Sequence, residues 1–235
     1  MKTKYILLFP VIFFVSCATT DSVKDIHRSR AHYQMGVSHL GENNAQKAYV
    51  EFRKAHELNP KDKEVLNGLG IVYLIFEDLQ KAKDAFTKAI AIDQNYSEAH
   101  TNLGVTYGKM GNWTDAVNSF KTALKNPLYR NPELALTGLG EAGYRLYQHD
   151  EAISAYREAT KRAPDFYRPF YGLALAYNAK GQYGDAANAI TRAVELDPLF
   201  KGDRGKAIEY FKNKMPSARG EEVKDVADYL EILKY

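Results

Sequence analysis

Residues 63–96 read KEVLNGLGIVYLIFEDLQKAKDAFTKAIAIDQNY, and the apolar period of this stretch sets the architecture. In the first half Leu66, Leu69, Gly70 and Tyr73 share one helical face; in the second half Ala82, Phe86 and Ala89 do. Small residues at Gly70, Ala82 and Ala89 let two helices approach closely, while Leu66, Tyr73 and Phe86 fill the space between them. A single helical hairpin of this size leaves apolar faces uncovered and therefore asks for neighbours of the same kind.

Those neighbours follow at nearly constant spacing. The central small residues are Gly36, Gly70, Gly104, Gly140 and Ala174, at intervals of 34, 34, 36 and 34 residues. The second helix of each unit repeats as Ala48-Phe52-Ala55, Ala82-Phe86-Ala89, Ala116-Phe120-Ala123, Ala152-Tyr156-Ala159 and Ala186-Ile190-Ala193. With its 34-residue period this pattern resembles the tetratricopeptide repeat. The fold expected is all-α, a right-handed superhelical solenoid of antiparallel helix pairs. Its units are Ser29–Asp62, Lys63–Tyr96, Ser97–Arg130, Glu133–Phe166 and Tyr167–Phe200.

Local signals agree with those boundaries. Asn59-Pro60, Ala163-Pro164 and Asp197-Pro198 end helices, because proline lacks the donor and disfavours helix in the residue before it. Gly41, Gly111 and Gly181 sit where a left-handed cap is expected, and Thr114-Asp115 is expected to cap and charge the start of a second helix. After Phe200, residues 206–212 and 221–234 read as helices split by Met215-Pro216-Ser217. In the last of them Val223, Val226, Leu230 and Leu233 form an apolar stripe, suited to capping the open end of a solenoid over residues 201–235.

The chain starts MKTKYILLFPVIFFVSC, two lysines and an apolar run ending at Cys17, the only cysteine. A helix of that run rises only about 16 Å, too little for a ~30 Å hydrocarbon core, so residues 1–16 read as an export signal. With one cysteine no intrachain disulfide forms; a small buried residue is the plain alternative for Cys17. Phe14-Val15-Ser16-Cys17 resembles the lipobox of bacterial lipoproteins, with Phe14 in place of the commoner leucine. That resemblance implies a covalent diacylglycerol and an N-acyl chain on Cys17, and cleavage before it. Ala18 stands where the inner-membrane retention signal places aspartate, which implies the periplasmic face of the outer membrane. Residues 17–28 are then the lipidated cysteine and a short polar tether.

Removing Lys2 and Lys4 from the 32 basic side chains leaves a near balance against 29 acids. This is no clustered basic footprint, and no nucleic-acid partner is expected. The six histidines make no zinc-ligand spacing, and His32 and His100 fall where the repeat usually packs an aromatic. Gly68-Leu69-Gly70 and Gly138-Leu139-Gly140 lack a preceding strand and a third glycine, so neither is a phosphate loop. No catalytic constellation, metal site or cofactor beyond the acyl chains is expected, and an enzyme is the remotest reading.

In the tetratricopeptide repeat the first helices line a concave face through their second, fifth, ninth and twelfth positions. The resemblance therefore implies a partner-binding groove at Tyr33, Asn67, Ile71, Thr101, Val105, Thr137, Glu141, Tyr144, Arg168, Tyr171 and Asn178. Val37, Leu40, Leu74, Leu134 and Leu175 lie in the same rows. Apolar anchors among single polar groups suit a peptide or helix, although the same residues could simply pack within the superhelix. The chaperone-binding type of repeat has Lys and Asn where this chain has Tyr33 and Val37, so no carboxylate clamp is expected.

The 36-residue interval holds Asn126-Pro127-Leu128-Tyr129 and then Pro132, expected to form an extended link that alters stacking. This link, with Leu139-Gly140, resembles the type IV pilus biogenesis lipoproteins of the PilF/PilW/Tgl kind across residues 17–200. The resemblance implies a pilotin whose groove holds a secretin subunit. An outer-membrane adaptor that scaffolds cell-wall hydrolases or proteases is the alternative.

Overall fold

The computed structural model describes residues 18–235. The export signal, the lipobox and Cys17 lie outside the described residues. Ten helices form five antiparallel pairs. They are α1 (Ala18–Gly41) with α2 (Ala45–Leu58), α3 (Lys63–Ile75) with α4 (Leu79–Ile92), α5 (Ser97–Lys109) with α6 (Trp113–Ala123), α7 (Pro132–Arg145) with α8 (His149–Arg162), and α9 (Arg168–Ala179) with α10 (Tyr183–Leu196). Two more follow, α11 (Arg204–Lys214) and α12 (Glu221–Ile232), joined through a 3-10 turn at Met215–Ser217. No strand occurs among the described residues, and each pair stacks on the next. The chain is an all-α solenoid.

The glycine pairs carry the stacking. Phe52, buried on α2, lies against Gly36 of its own unit and Gly68 of the next; a Cβ at Gly36 would meet its ring at 2.5 Å. Phe120 sits in the same way between Gly104 and Gly138, and Tyr156 between Gly140 and Gly172. In Gly138-Leu139-Gly140 the first glycine clears the preceding unit's ring and the second clears its own unit's ring. At the matching place after Phe86 stands Asn102, whose Nδ2 donates to Asn67 Oδ1 across 3.0 Å.

The caps correct two expectations. Asn43, Glu77, Gly111, Tyr147 and Gly181 fall at one position of successive units, and all have φ between 57° and 77°. The left-handed residue of the first unit is thus Asn43, two beyond Gly41, because the chain turns only after α1 has closed. Likewise α6 starts at Trp113 with Asn112 at its N-cap, which places Thr114-Asp115 inside the first turn. Asp62, by contrast, accepts from the Glu64 and Val65 amides at 2.9 and 3.3 Å.

Both ends depart from simple pairs. α1 has 24 residues, about 36 Å of helix, and it includes the segment read as a tether. At the other end, Phe211 of α11, Val226 and Ile232 of α12 and the following Leu233 join one core with α9 and α10. Val223 is exposed rather than part of a buried stripe. Two contacts set the rotation of α12: Asp225 meets Arg145 on α7, and the Tyr229 ring lies 4.9 Å from Phe211. Arg204 holds the end of α12, donating twice to the Leu233 carbonyl at 2.9 and 2.6 Å.

Candidate functional site

The first helices of units three to five and α12 enclose a cavity of about 450 Å³. α5 supplies Thr101, Asn102 and Val105; α7 supplies Leu134, Thr137, Gly138, Glu141, Tyr144 and Arg145; α9 supplies Arg168, Tyr171, Gly172 and Leu175. Phe166, Tyr156 and the Asp225 and Tyr229 side chains of α12 complete it. A second cavity of about 320 Å³, reaching Trp113 and Lys109, shares Val105, Gly138 and Glu141 with the first. The two form one trough along α5 and α7.

The charges in this trough are unequally satisfied. Arg145 donates from Nη1 to Asp225 Oδ1 at 2.8 Å and from Nη2 to Oδ2, and its Nε lies 3.1 Å from Glu221. Burial works against this guanidinium's charge, but Asp225 outweighs it and raises the Arg145 pKa. Glu141 is four residues before Arg145, yet among the described residues it has no hydrogen-bond or ion-pair partner, because Arg145 is turned towards α12. Its carboxylate is open to solvent but lies between protein walls, and that desolvation raises its pKa. Arg168, exposed at the rim, is likewise unpaired among the described residues.

The aromatic residues form a wall at one end. The Tyr171 ring stands 5.4 Å from Tyr229 and 6.1 Å from Phe211, and its hydroxyl donates to Asp197 at 3.1 Å. Tyr144 is buried, with its hydroxyl 3.2 Å from Lys224 Nζ.

Of the groove residues read from the repeat, Thr101, Val105, Thr137, Glu141, Tyr144, Arg168 and Tyr171 line this one cavity. The others lie elsewhere. Tyr33 packs on Phe52 at 5.8 Å, Asn67 is hydrogen-bonded to Asn102, and Ile71 packs against the core around Phe86. Asn178 is half-buried with an unpartnered Oδ1. Asp225 and Tyr229 lie off the apolar stripe of Val223, Val226, Leu230 and Leu233 that marks α12 in the sequence. The i, i+4, i+7 run of Asp225, Tyr229 and Ile232 was the available signal. His32 bonds Glu51 at 2.6 Å, and His100 Nε2 lies 2.9 Å from the Gln94 carbonyl. Among the described residues no three His, Cys, Asp or Glu side chains gather for a metal ion.

The link before the fourth unit borders the trough. It turns rather than extends: Tyr129 N returns to the Asn126 carbonyl at 3.2 Å, with Pro127 at the second position of the turn. Asn126 Oδ1 also accepts from Leu128 N at 3.0 Å. These bonds absorb the two extra residues, and α6 stacks on α7 as closely as at the other junctions. Tyr129 is buried, its hydroxyl 2.9 Å from Thr101 Oγ1, whereas Leu128 is 85% exposed.

Comparison with known families places this architecture. The family model for the tetratricopeptide repeat matches residues 38–97, 101–165 and 148–199, most of the chain. The chain belongs to the tetratricopeptide repeat family. Tetratricopeptide repeats are protein-interaction scaffolds that bind peptides or proteins in a groove, and the trough on α5, α7 and α9 occupies that face.

A crystal structure of PilW, described as a widely conserved type IV pilus biogenesis factor, aligns with a TM-score of 0.71. It is 19% identical, and the alignment covers 86% of this chain and 90% of that one, a likeness of fold. The BBSome complex member BBS4 homolog of Drosophila melanogaster is 24% identical over 200 residues, 76% of this chain and 40% of that protein. The lipoprotein NlpI homolog of Haemophilus influenzae is 30% identical over 162 residues, 59% of this chain and 52% of its own length. The chain thus spans about half or less of these two curated relatives.

Proposed function

We propose that this protein is a non-enzymatic, lipid-anchored scaffold that holds a partner segment on its concave face. The partner in this reading is a secretin subunit of the type IV pilus machinery. Cys17 carries the diacylglycerol and N-acyl chain, the anchor lies in the outer membrane, and the solenoid faces the periplasm. One acyl chain binds a membrane only reversibly, and several make release negligible, so a carrier that must stay with its cargo benefits from all of them.

The observation that carries the reading is the trough, whose apolar and aromatic walls are interleaved with polar and charged groups. Such a surface suits a peptide or helix held by a small number of buried anchors. The fold likeness to PilW and the Pro127-Leu128-Tyr129 link support the secretin as the cargo. Deleting the gene is expected to abolish heat- and detergent-resistant secretin multimers and surface pili. In a Cys17→Ala strain the protein is expected to leave the outer-membrane fraction; its retention there would sink the anchor.

The second reading is an outer-membrane adaptor for cell-wall hydrolases or proteases, favoured by the 30% identity to a lipoprotein. Unchanged secretin multimers together with altered cell shape or hydrolase levels would select it.

A further inference from the structure

Among the described residues, one carboxylate of the trough, Glu141, has no ion-pair partner. The nearest guanidinium, Arg145, is committed to Asp225 and Glu221 on α12. Lys109 acts on Glu141 from across the second cavity but forms no ion pair with it. Glu141 therefore stands where the two cavities meet, open to solvent between their walls and lining both.

Aromatic rings flank that position: Tyr144 beside it on α7, and Tyr156, Tyr171 and Tyr229 along the larger cavity. The Tyr171 and Tyr229 rings, together with the one trough carboxylate that has no ion pair among the described residues (Asp225 being held by Arg145), are the chemistry that receives a cation. Ring faces attract it through their quadrupole, and the carboxylate neutralises it. A guanidinium fits better than an ammonium. It is planar, stacks on tyrosine, pairs a carboxylate through two parallel donors and is more weakly hydrated, so it enters a partly desolvated site at lower cost.

We propose that the trough is a recognition pocket for an arginine side chain of the partner segment, with Glu141 as its counter-ion. The inference rests on the reading of the concave face as the partner site, and it names the anchor that site takes. Arg168 at the rim adds a constraint, since an unpaired cation there disfavours a second basic residue towards α9 and favours an acidic one.

The probe is N-acetyl-arginine amide, titrated into the full-length chain in detergent micelles and followed by NMR of backbone amides and tyrosine rings. N-acetyl-citrulline amide, of nearly the same shape but uncharged, is the control. Shifts centred on Glu141, Tyr144 and Tyr171 are expected, with citrulline at least about tenfold weaker, the size of effect expected when a hydrogen bond to a charged group is lost. Glu141→Gln is expected to remove that preference and Glu141→Asp to retain part of it. Since Glu141 has no hydrogen-bond or ion-pair partner among the described residues, both variants are expected to keep the wild-type circular dichroism spectrum. Equal responses to the two amides, no response to either, or a preference that survives Glu141→Gln would overturn the inference.

A displayed library of random dodecapeptides separates this failure from that of the broader reading. Peptides that cross-link to the concave face without any enriched arginine would sink the pocket and leave the groove standing. Peptides that cross-link only to the outer helices would sink both.

Discussion

Removing Asp225 tests how α12 is held in the trough. Its carboxylate and the Arg145 guanidinium are 12% and 14% exposed, so the pair is screened little by solvent. Asp225→Ala leaves Arg145 buried with one remaining acid, Glu221, at 3.1 Å on a largely exposed side chain. Breaking a buried pair from one side costs about 3–5 kcal/mol, and the remaining Glu221 argues for the low end, about 3 kcal/mol.

For a chain of this size each kcal/mol shifts the midpoint by about 2–4 °C, so roughly 6–12 °C is expected if the solenoid unfolds as one unit. Solenoids can also lose one end first, and the loss would then be concentrated in α11, α12 and α9. Urea denaturation followed by circular dichroism gives the total, and hydrogen exchange of α12 amides gives its location. The double variant Arg145→Met with Asp225→Leu is expected to regain most of the loss, because an apolar pair leaves no stranded charge. Asp225→Ala within about 0.5 kcal/mol of wild type, the range of an ordinary surface change, with unaltered α12 exchange, would refute the reasoning.

Three further outcomes follow from particular contacts. Gly104→Ala would place a methyl 2.7 Å from the Phe120 ring; overpacking of about 1–3 kcal/mol is expected to outweigh a helix-propensity gain of about 1 kcal/mol, and adding Phe120→Leu should restore part of the loss in denaturant melts. Glu77→Gly is expected to stabilise the chain by about 0.5–1 kcal/mol, since Glu77 is exposed and held at φ 60°, a strain that outweighs the entropy glycine adds to the unfolded chain. Glu141, whose pKa is raised by desolvation, binds its proton more tightly when folded, so its contribution to stability falls as pH rises from the usual carboxylate range through the raised value. Glu141→Gln is therefore expected to match wild type in thermal melts near pH 4 and to exceed it modestly near pH 7; the reverse order would contradict the desolvation.

The solenoid was legible because its information is local and repeated. A large residue such as Phe120 needs small neighbours at fixed places in its helix pair, and five copies of that pattern at one period leave little choice of fold. The concave rows of α5, α7 and α9 were legible for the same reason, and the structure gathers Thr101, Val105, Thr137 and Glu141 into one cavity. What could not be read was set by partners far along the chain. Asp225 faces Arg145 across 80 residues, and nothing in the repeat period encodes that meeting. The aromatic contacts of Tyr229 with Tyr171 and Phe211 depend on it too; the apolar stripe does pack through Val226, Leu230 and Leu233, but it says nothing of the face that meets α7. The link before α7 failed for a smaller reason: prolines suggest extension, but the Asn126 side chain and carbonyl close a turn around Pro127.

The central claim is that the partner lies on the concave face of units three to five. A photo-cross-linking amino acid placed in living cells at Thr137, inside the trough, tests it against one at Arg157, exposed on the outer helix α8. A covalent adduct with a secretin subunit is expected from position 137 and none from position 157. Adducts from position 157 with none from position 137 would contradict it.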